Sequence, residues 1–524
     1  MRGKIRLMLM TLVVMSCSGK GIDPDDGTDY QYGRNLSHEK IVLGARLENP
    51  YKTENITKAL QALYPTKADR VDVRTTDLYV RFLPKTEEQL EILEGMELKM
   101  TDHPLDYEIL EDGDWYHDPE VPDDRMTWQY AVVPHDFEFP EMEYEIIDEC
   151  HISENDPQTR AYDGIDWDAV ERQAYVMTGN SDYLLPETKA EKVYPSGRIT
   201  ILDESADGGK PVGVKGVRVS CNSFVKFAHT YTDQDGYYKM GKKFSAKLRY
   251  RLVFENAKGF SIGFNLILVP ASTSTLGKAS PDGVNITVTK DSETKLFKRC
   301  VVNNAAYDYY SRCEPEDLNI TLPPSDIRIW LFHKLKTSSA MMMHHGAVLD
   351  MSIVSAFLGD FAPLIKIFLP DLTIGVSGRN DYSSIYSEVC HELAHASHFS
   401  KVGTGYWNKY IMYVLGSFVS SGGMTYGDGL GMNAGYCGLG EQWAFYLSSR
   451  MWHDRYGGEY PQFGSSYWFY PQTLRYVEEL GIEPWEIFSL MGGSVTSIDD
   501  LRRALIATYP DLSDAIDHIY NRYM

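Results

Sequence analysis

The sequence contains little of what would indicate several common classes of protein. Only seven of its 524 residues are cysteine, and because no two of them form a C-x-x-C pair, a zinc cluster held by thiolates is not expected. Cys300 and Cys313 are close enough in sequence to bridge in an oxidising compartment, a point that the sequence leaves open. The 51 Lys and Arg are outnumbered by 74 Asp and Glu, and the formal net charge of -23 argues against a nucleic-acid-binding surface. Beyond the N-terminus, no apolar run is long enough to cross a bilayer.

The N-terminus has the pattern of a processing signal. Three basic residues precede the almost wholly apolar stretch Leu7 to Met15, and Cys17 follows closely. This pattern resembles a bacterial lipoprotein signal, which implies cleavage before Cys17 and a lipid on its sulfur. The Gly-, Asp- and Ser-rich stretch Ser18 to Gly33 predicts a flexible tether and resembles those of Bacteroidetes-type lipoproteins. The expected location is the bacterial cell envelope, as an outer-membrane lipoprotein that is periplasmic or surface-exposed; an ordinary secretory signal is the alternative.

A His-Glu-x-x-His motif lies in the stretch from Cys390 to His398. Apolar residues recur there at steps of three and four, and no Gly or Pro interrupts the chain from Tyr382 to Val402, which predicts a helix. On a helix, His391 and His395 lie one turn apart on the same face, so both imidazoles can reach one metal ion. Glu392 lies about 100° round the helix, where its carboxylate can take a proton from a metal-bound water. The alternative is an amphipathic helix with structural histidines.

A second helix is predicted to begin at Gly440, with Glu441 in its first turn and a small residue three positions later. Together the two segments resemble the gluzincin zinc metallopeptidases, in which the third ligand is a Glu on a downstream helix. The resemblance implies that His391, His395 and Glu441 bind Zn²⁺. It also implies that Glu392 is the catalytic base and that the substrate is a protein or peptide.

The metzincin pattern is the main rival metal scheme. It requires glycine at position 398 and histidine at position 401, where this chain has His398 and Lys401. His398 lies on the ligand face, but about 10 Å along the helix axis from His391, so it is interpreted as a packing or neighbouring residue. His344 and His345 are adjacent rather than helically spaced, and they are interpreted as packing or surface residues.

The segments before and after the motif predict the walls of a cleft. Leu372 to Val376 is predicted to be an edge strand, a position that Pro370 favours. In gluzincins an edge strand before the zinc helix pairs with the substrate backbone, and this strand is the candidate for that role. The Gly-rich stretch Ser421 to Gly440 predicts a mobile loop over the cleft.

An oxyanion donor is expected from the region around or after the third ligand, and His453, Tyr446 and Tyr436 are unranked candidates. The aromatic tract Tyr456 to Tyr476 could line substrate subsites, although aromatic residues are more often part of a core. Leu480 to Tyr520 predicts C-terminal helices that close the domain.

The N-terminal region predicts a small α+β module with the order βαββαβ. The predicted strands are Ile41 to Ala45, Val71 to Val73, Leu78 to Phe82 and Met96 to Met100, and the predicted helices are Thr53 to Leu63 and Thr86 to Leu93. The Pro- and Asp-rich stretch Pro104 to Pro140 predicts an ordered linker, and Trp167 to Val176 predicts a helix.

Short alternating strands begin at Gly197, and Gly197 to Asp203 is the first of them. Gly-Val-x-Val and Thr-Asp-x-Asp-Gly-x-Tyr elements follow, and the stretch from Gly197 to about Phe260 resembles the carboxypeptidase regulatory-like domain. That resemblance implies an Ig-like β-sandwich without catalytic function. Asp233 and Asp235 could bind calcium, but a turn is the preferred interpretation.

The predicted fold class is multidomain α+β, with a small N-terminal α+β module, an Ig-like β-sandwich and a mainly helical zincin-like catalytic domain with a small sheet. The predicted divisions are a signal peptide (1–16), a tether (17–36), an α+β accessory domain (37–115), a linker with a helix (116–194), the β-sandwich (195–270) and the catalytic domain (290–524).

The expected function is that of a lipid-anchored zinc metallopeptidase, whose zinc-activated water attacks a peptide bond with Glu392 as general base. The first alternative is a surface lipoprotein that binds a glycan or protein and carries a vestigial zinc site. The second is a zinc hydrolase that acts on peptidoglycan or another amide. These functions share the predicted ligands and differ in the cleft around them.

Overall fold

The computed structural model describes residues 40–67, 71–96, 98–122, 125–161, 164–186, 191–263, 271–291, 294–332, 338–347, 370–421, 426–464 and 467–523. The predicted signal peptide, the tether and Cys17 lie outside the described residues. Within these ranges, no helix combines the length and the apolar character that crossing a bilayer requires.

The described chain alternates between regions rich in strands and regions rich in helices. The strands are β1 (Val42–Arg46), β2 (Asp77–Leu83), β3 (Tyr107–Glu111), β4 (Gln129–Pro134), β5 (Glu143–Cys150), β6 (Ser196–Leu202), β7 (Pro211–Gly213), β8 (Val217–Ser223), β9 (Lys226–Tyr231), β10 (Tyr237–Lys239), β11 (Leu248–Asn256), β12 (Phe260–Ile262), β13 (Thr273–Ala279), β14 (Asn285–Val288), β15 (Ile327–Phe332), β16 (Ser339–Ala340) and β17 (Leu372–Gly375). The helices are α1 (Thr53–Leu63), α2 (Glu87–Gly95), α3 (Trp167–Met177), α4 (Thr294–Arg312), α5 (Tyr382–Val402), α6 (Thr404–Ser421), α7 (Ala434–Tyr456), α8 (Gln472–Glu478), α9 (Pro484–Leu490), α10 (Ile498–Thr508) and α11 (Ser513–Tyr523). The predicted α+β class is confirmed in this coarse form.

The N-terminal region differs from the predicted order of elements. Strand β2 lies between β4 and β5 in an antiparallel sheet, and β1 pairs with β3. The prediction of a linker over Pro104 to Pro140 was wrong, because β3 and β4 lie within it. Val71 to Val73 and the described part of Met96 to Met100 are not strands, so the order βαββαβ was also wrong. The pairing of β4 with β2 joins residues far apart in sequence, such as Leu78 and Val133, and strand formation depends on such neighbours more than on local pattern.

The central region forms two sheets. One has the order β10-β6-β14, with β7 also paired to β6, and the other has the order β16-β17-β15-β12-β11-β8-β9, with β13 also paired to β11. The predicted first strand is present as β6. Asp233 Oδ1 accepts hydrogen bonds from the backbone N–H groups of Asp235 and Tyr237, both at 2.9 Å, as in the predicted turn.

The larger sheet extends across the predicted boundary between the sandwich and the catalytic region. Strand β12 pairs in parallel with β15, and β15 pairs in parallel with β17. The prediction that Leu372 to Val376 is an edge strand was wrong, because β16 pairs with the other side of β17 through Ser339 and Ala340. Among the described strands, β16 is the last on this side of the sheet, and helix α5 packs against β16 and β17.

Helix α5 is the centre of the C-terminal region. It has the predicted bounds, because Asp381 accepts a hydrogen bond from the Ser384 N–H at its start and Gly403, at φ +78°, ends it. Helix α4 packs on one side of α5, where Tyr309 shares a hydrogen bond of 2.8 Å with Ser397, and α7 packs on another. Helices α9 to α11 follow, as the sequence predicted. Cys300 and Cys313 are both buried, and no disulfide joins them.

Candidate metal site

The three predicted ligands, His391, His395 and Glu441, meet in one buried group that could hold a metal ion. The Nε2 atoms of the two histidines lie 3.2 Å apart, and each lies 3.5 Å from Glu441 Oε2. Donors at about 2.1 Å from a tetrahedral ion are about 3.4 Å from one another. The triangle of donor atoms therefore has the size that a small tetrahedral cation requires.

Two packed helices position these donors. His391 and His395 lie one turn apart on α5, and their rings meet edge to face with centroids 4.7 Å apart. Glu441 reaches them from α7, which packs along α5. Because both helices are buried at this level, the donor triangle is held by backbone packing as well as by the side chains themselves.

Helix α7 begins at Ala434, so the predicted start at Gly440 was wrong. Glu441 lies about two turns inside the helix rather than in its first turn. Two of the glycines before it, Gly435 and Gly438, leave no space for a side chain because other residues lie directly against their backbone. A Cβ atom on Gly438 would lie 2.6 Å from the Trp468 ring, and one on Gly435 would lie 2.5 Å from the Thr496 carbonyl oxygen.

The mobile loop predicted over Ser421 to Gly440 was therefore too long. Helix α6 reaches Ser421 and α7 starts at Ala434. Residues 426–433 are the described part of the connection between these helices, and 422–425 lie outside the described residues. Of the glycines that suggested mobility, Gly435, Gly438 and Gly440 lie within α7 instead.

The electrostatics of the group suit a cation. Burial lowers the pKa of His395, although Glu441 opposes the shift, so this ring is neutral near pH 7 and can donate a lone pair. Burial alone would raise the pKa of Glu441, but the two histidines outweigh it and lower the pKa to about 2. Neutral imidazole and ionised carboxylate are the states in which these side chains bind metals.

An aromatic wall on α6 holds the third ligand in place. The Tyr410 hydroxyl donates to Glu441 Oε1 at 2.5 Å, which leaves Oε2 facing the histidines. The Tyr410 ring stacks on Trp407, with centroids 4.6 Å apart, and Trp407 Nε1 donates to the Ala340 carbonyl at 3.0 Å. The carboxylate is thereby linked through α6 to the edge strand β16.

Glu392 and His398 lie on the same helix as the histidine pair, and both are fully buried. Glu392 directly follows His391 in α5, and its role as a base stays a prediction. His398 packs among aromatic rings, with ring centroids 5.2 Å from Tyr406 and 6.5 Å from Phe488, and burial lowers its pKa to about 3. It is not part of the donor group, in agreement with its interpretation as a packing residue.

The candidate oxyanion donors are engaged elsewhere. His453 Nδ1 contacts the Gly458 carbonyl at 2.6 Å, and the Tyr446 hydroxyl donates to Glu478 at 2.7 Å. The Tyr436 hydroxyl accepts from Lys409 at 2.9 Å. The structure does not bring any of the three predicted donors together with the donor triangle.

Sequence reasoning missed the role of Tyr410. Its signal was available, because Tyr406, Tyr410 and Tyr413 recur at steps of four and three and so share one face of a helix. Nothing local indicated that this face would meet Glu441. The adjacent histidines also lie away from the metal group, since His345 Nδ1 pairs with Asp371 at 2.9 Å.

The chain was compared with models of protein families and with curated proteins, and neither comparison gives a match. Its site must therefore be interpreted from its own geometry.

Proposed function

We propose that this protein is an exported, lipid-anchored zinc metallopeptidase of the gluzincin type. The observation that carries the proposal is the buried donor triangle of His391 Nε2, His395 Nε2 and Glu441 Oε2, with sides of 3.2 to 3.5 Å. Two imidazole nitrogens and one carboxylate oxygen are the protein ligands found in catalytic zinc sites of hydrolases, where the fourth position is left for water. Zinc is the cation proposed because imidazole nitrogen and tetrahedral spacing favour it over magnesium or calcium.

Each residue has one proposed role. A bound zinc would lower the pKa of its water and polarise the carbonyl oxygen of the substrate. Glu392 accepts the water proton and later passes it to the leaving amine, so it acts first as a base and then as an acid. Tyr410 keeps one carboxylate oxygen of Glu441 occupied, so that the other faces the ion.

The substrate class follows from the gluzincin resemblance, and the location follows from the resemblance of the N-terminus to a lipoprotein signal. The substrate is a protein or peptide, and the enzyme is held at the bacterial outer membrane by a lipid on Cys17, facing the periplasm or the cell exterior. The proposed catalytic region is 290–524. It is preceded by the predicted accessory module (37–115) and the predicted β-sandwich (195–270).

One observation favours the alternative of a binding lipoprotein with a vestigial zinc site. The side chains of His395 and Glu441 have no exposed surface, and that of His391 is only 5% exposed. A buried metal centre of this kind could stabilise the fold while the sheets bind a glycan or a protein. A zinc-dependent amidase of peptidoglycan is the other hydrolase that the same donors would support.

The experiment that tests the proposal combines metal analysis with a substrate screen. The purified protein is expected to bind one zinc and to cleave members of a broad peptide library. Glu392→Gln is expected to keep the zinc and to lose turnover by at least a thousandfold, because it removes the proton acceptor alone. Glu479→Gln, which changes an exposed carboxylate paired with Arg475, is the matched control and is expected to retain activity.

Three results would change the conclusion. Bound zinc without hydrolysis of peptides, proteins or peptidoglycan would favour the binding lipoprotein. Cleavage of peptidoglycan alone would favour the amidase. Full peptidase activity in Glu392→Gln would reject the proposed base.

A further inference from the structure

A second unusual site lies far from the metal group in sequence, between the N-terminal region and one face of the larger sheet. Here the segment Lys99 to His103 and Asp114 cover side chains of β8, β9, β11 and β13, and a cavity remains between them. Its volume is about 50 Å³, counted over the positions that the centre of a water molecule can occupy. A single water needs roughly 10–15 Å³ on this measure, so the cavity has room for a group of several atoms.

Three polar side chains line this cavity in a row across neighbouring strands. Arg251 of β11 lies opposite Ser220 of β8 in the antiparallel register, and Ser220 lies opposite His229 of β9. Side chains opposite each other on adjacent strands point to the same face of a sheet. Arg251, Ser220 and His229 therefore present a guanidinium, a hydroxyl and an imidazole to the same small space.

Arg251 is the decisive residue of the row. Its side chain is buried, with only 5% of the residue exposed, and its Nε and one terminal nitrogen have no hydrogen-bond partner among the described residues. Burial and the neighbouring Arg249 lower the pKa of Arg251 to about 10, so it remains charged near pH 7. A buried cation with open donors is unstable unless it is paired.

The carboxylates that line the cavity are already engaged. Asp102 accepts from the Tyr116 N–H at 2.6 Å and contacts His103 Nδ1 at 2.9 Å. Asp114 pairs with Arg299 at 2.5 Å. Asp102, Asp112 and Asp114 attract the Arg251 charge and favour its ionised form, but Asp102 and Asp114 supply no hydrogen bond to its Nε and one terminal nitrogen.

The remaining donors would also recognise negative charge. His229 Nδ1 is buried without a hydrogen-bond partner among the described residues. Burial, with Lys99 and Arg218 nearby, lowers the pKa of His229 to about 4, so it is a neutral ring near pH 7 that can offer one N–H. Lys99 and Arg218 line the cavity as well, and Arg218 pairs with Glu255 at 2.7 Å.

We propose that this cavity is a binding site for a small oxyanion group, a carboxylate or a phosphate, held by the open guanidinium nitrogens of Arg251 with support from Ser220 and His229. Planar guanidinium donors match the geometry of both oxyanions. The site is independent of the metal centre, and the proposal does not depend on the proposed peptidase activity.

The test measures anion binding by the purified full chain. Thermal unfolding and calorimetry are carried out in chloride buffer with added sodium phosphate or sodium acetate at constant ionic strength. At least one of the two anions is expected to raise the melting temperature above that in chloride, because a ligand of the native state stabilises it. The anion that does so identifies the class of group. Equal melting temperatures in all three salts would overturn the proposal.

Variants separate binding from a structural role. Arg251→Met is expected to raise the dissociation constant at least tenfold, and without the anion it should be at least as stable as the wild type because it removes a buried charge whose Nε and one terminal nitrogen lack hydrogen-bond partners. Arg251→Lys, which keeps the charge but not the planar donors, is expected to weaken binding about threefold. Arg198→Gln is the control, because this half-buried arginine lies over the Tyr237 ring, outside the cavity lining; it should bind as the wild type does.

Two results would show that Arg251 is only structural. One is a wild-type affinity retained in both Arg251 variants. The other is an Arg251→Met protein that is less stable than the wild type in chloride, but whose melting temperature rises as much as that of the wild type when the anion is added. If Arg251→Met fails to fold, Arg251→Lys and Ser220→Ala decide the question, since each must weaken binding while the control does not.

Discussion

Two groups of ionisable residues, each built around buried side chains, have different charge balances; in the first of them Lys226 and Glu171 are buried and Glu154 is partly exposed. At the contact of α3 with β9, Lys226 Nζ lies 2.6 Å from Glu154 and 3.3 Å from Glu171, and Lys192 Nζ lies 2.8 Å and 2.9 Å from the same two carboxylates. Two ammonium groups thus meet these two acids, and Lys192 also lies 2.7 Å from the exposed carboxylate of Asp168. In the donor triangle, the ionised carboxylate of Glu441 meets two imidazoles and the Tyr410 phenol, and none of these partners is a permanent cation.

The difference separates a structural group from a binding site. A buried charge is stable only when it is paired. The Lys–Glu group is balanced by the chain itself, so it joins two parts of the protein and requires no ligand. The donor triangle is balanced when a cation enters, and the Arg251 cavity is balanced when an anion enters. Charge balance is therefore the property that the following predictions test, beginning with the largest expected effect.

Lys226→Met should destabilise the protein by roughly 3–5 kcal/mol, because it removes one partner of a buried group and leaves Glu154 and Glu171 with less positive charge. The measurement is the free energy of unfolding in urea. Lys290→Met is the control, since Lys290 and its partner Glu204 are both exposed and such pairs contribute at most about 1 kcal/mol. Equal losses in the two variants would mean that burial does not distinguish the groups.

Unlike Lys226→Met, Glu441→Gln should not lower the free energy of unfolding. Without metal its stability should be unchanged or higher, because the amide keeps the contact with Tyr410 while a buried charge is lost. Its zinc affinity should fall at least a hundredfold, about 2.7 kcal/mol, as measured by competition with a chelator. Glu171→Gln is the matched variant of the balanced group, and it should lose stability while zinc affinity is retained. Loss of stability in metal-free Glu441→Gln would contradict the comparison.

The parts of the site that follow from local sequence could be predicted. The bounds of α5 depend on Asp381 at its start, Gly403 at its end and the absence of breakers between them, and all of these are visible in the chain. The one-turn spacing of His391 and His395 is equally local. Two corners of the triangle therefore follow from helix geometry, whereas Glu441 could be named only through resemblance to a family.

The remaining features depend on contacts between distant segments. The glycines before Glu441 have the sequence pattern of a loop. Their packing against Trp468 and Thr496 becomes visible only in the structure. Strand β17 is not the edge strand that the sequence predicted, because β16 pairs with it. Strand β16 is only two residues long and too short to recognise by periodicity. The row of Arg251 with Ser220 depends on strand register, and a shift of one residue would turn each side chain to the other face.

Acid should weaken the balanced group in a defined range of pH. Burial would raise the pKa of Glu154, but Lys226 and Lys192 outweigh it and lower the pKa from 4.5 to about 2; the pKa of Glu171 is also lowered. Because the folded-state pKa is lowered, this stabilisation is complete above about pH 4.5 and is lost as the pH falls towards 2. Unfolding followed from pH 6 to pH 2 should show this loss, and the slope should be smaller in Lys226→Met. An equal slope in both proteins would assign the acid sensitivity to other carboxylates.

The smallest expected effect concerns the hydroxyl that orients Glu441. Tyr410→Phe removes the hydrogen bond to Oε1 but keeps the ring on Trp407, so the carboxylate can turn away from the histidines. Partners of a metal ligand typically contribute 10- to 100-fold to metal affinity, and the lower end, about tenfold, is expected here. Tyr406→Phe is the matched control, since this buried hydroxyl on the same helix has no hydrogen-bond partner among the described residues, and its zinc affinity should not change. A Tyr410→Phe protein that binds zinc as tightly as Tyr406→Phe would mean that helix packing alone holds the third ligand in place.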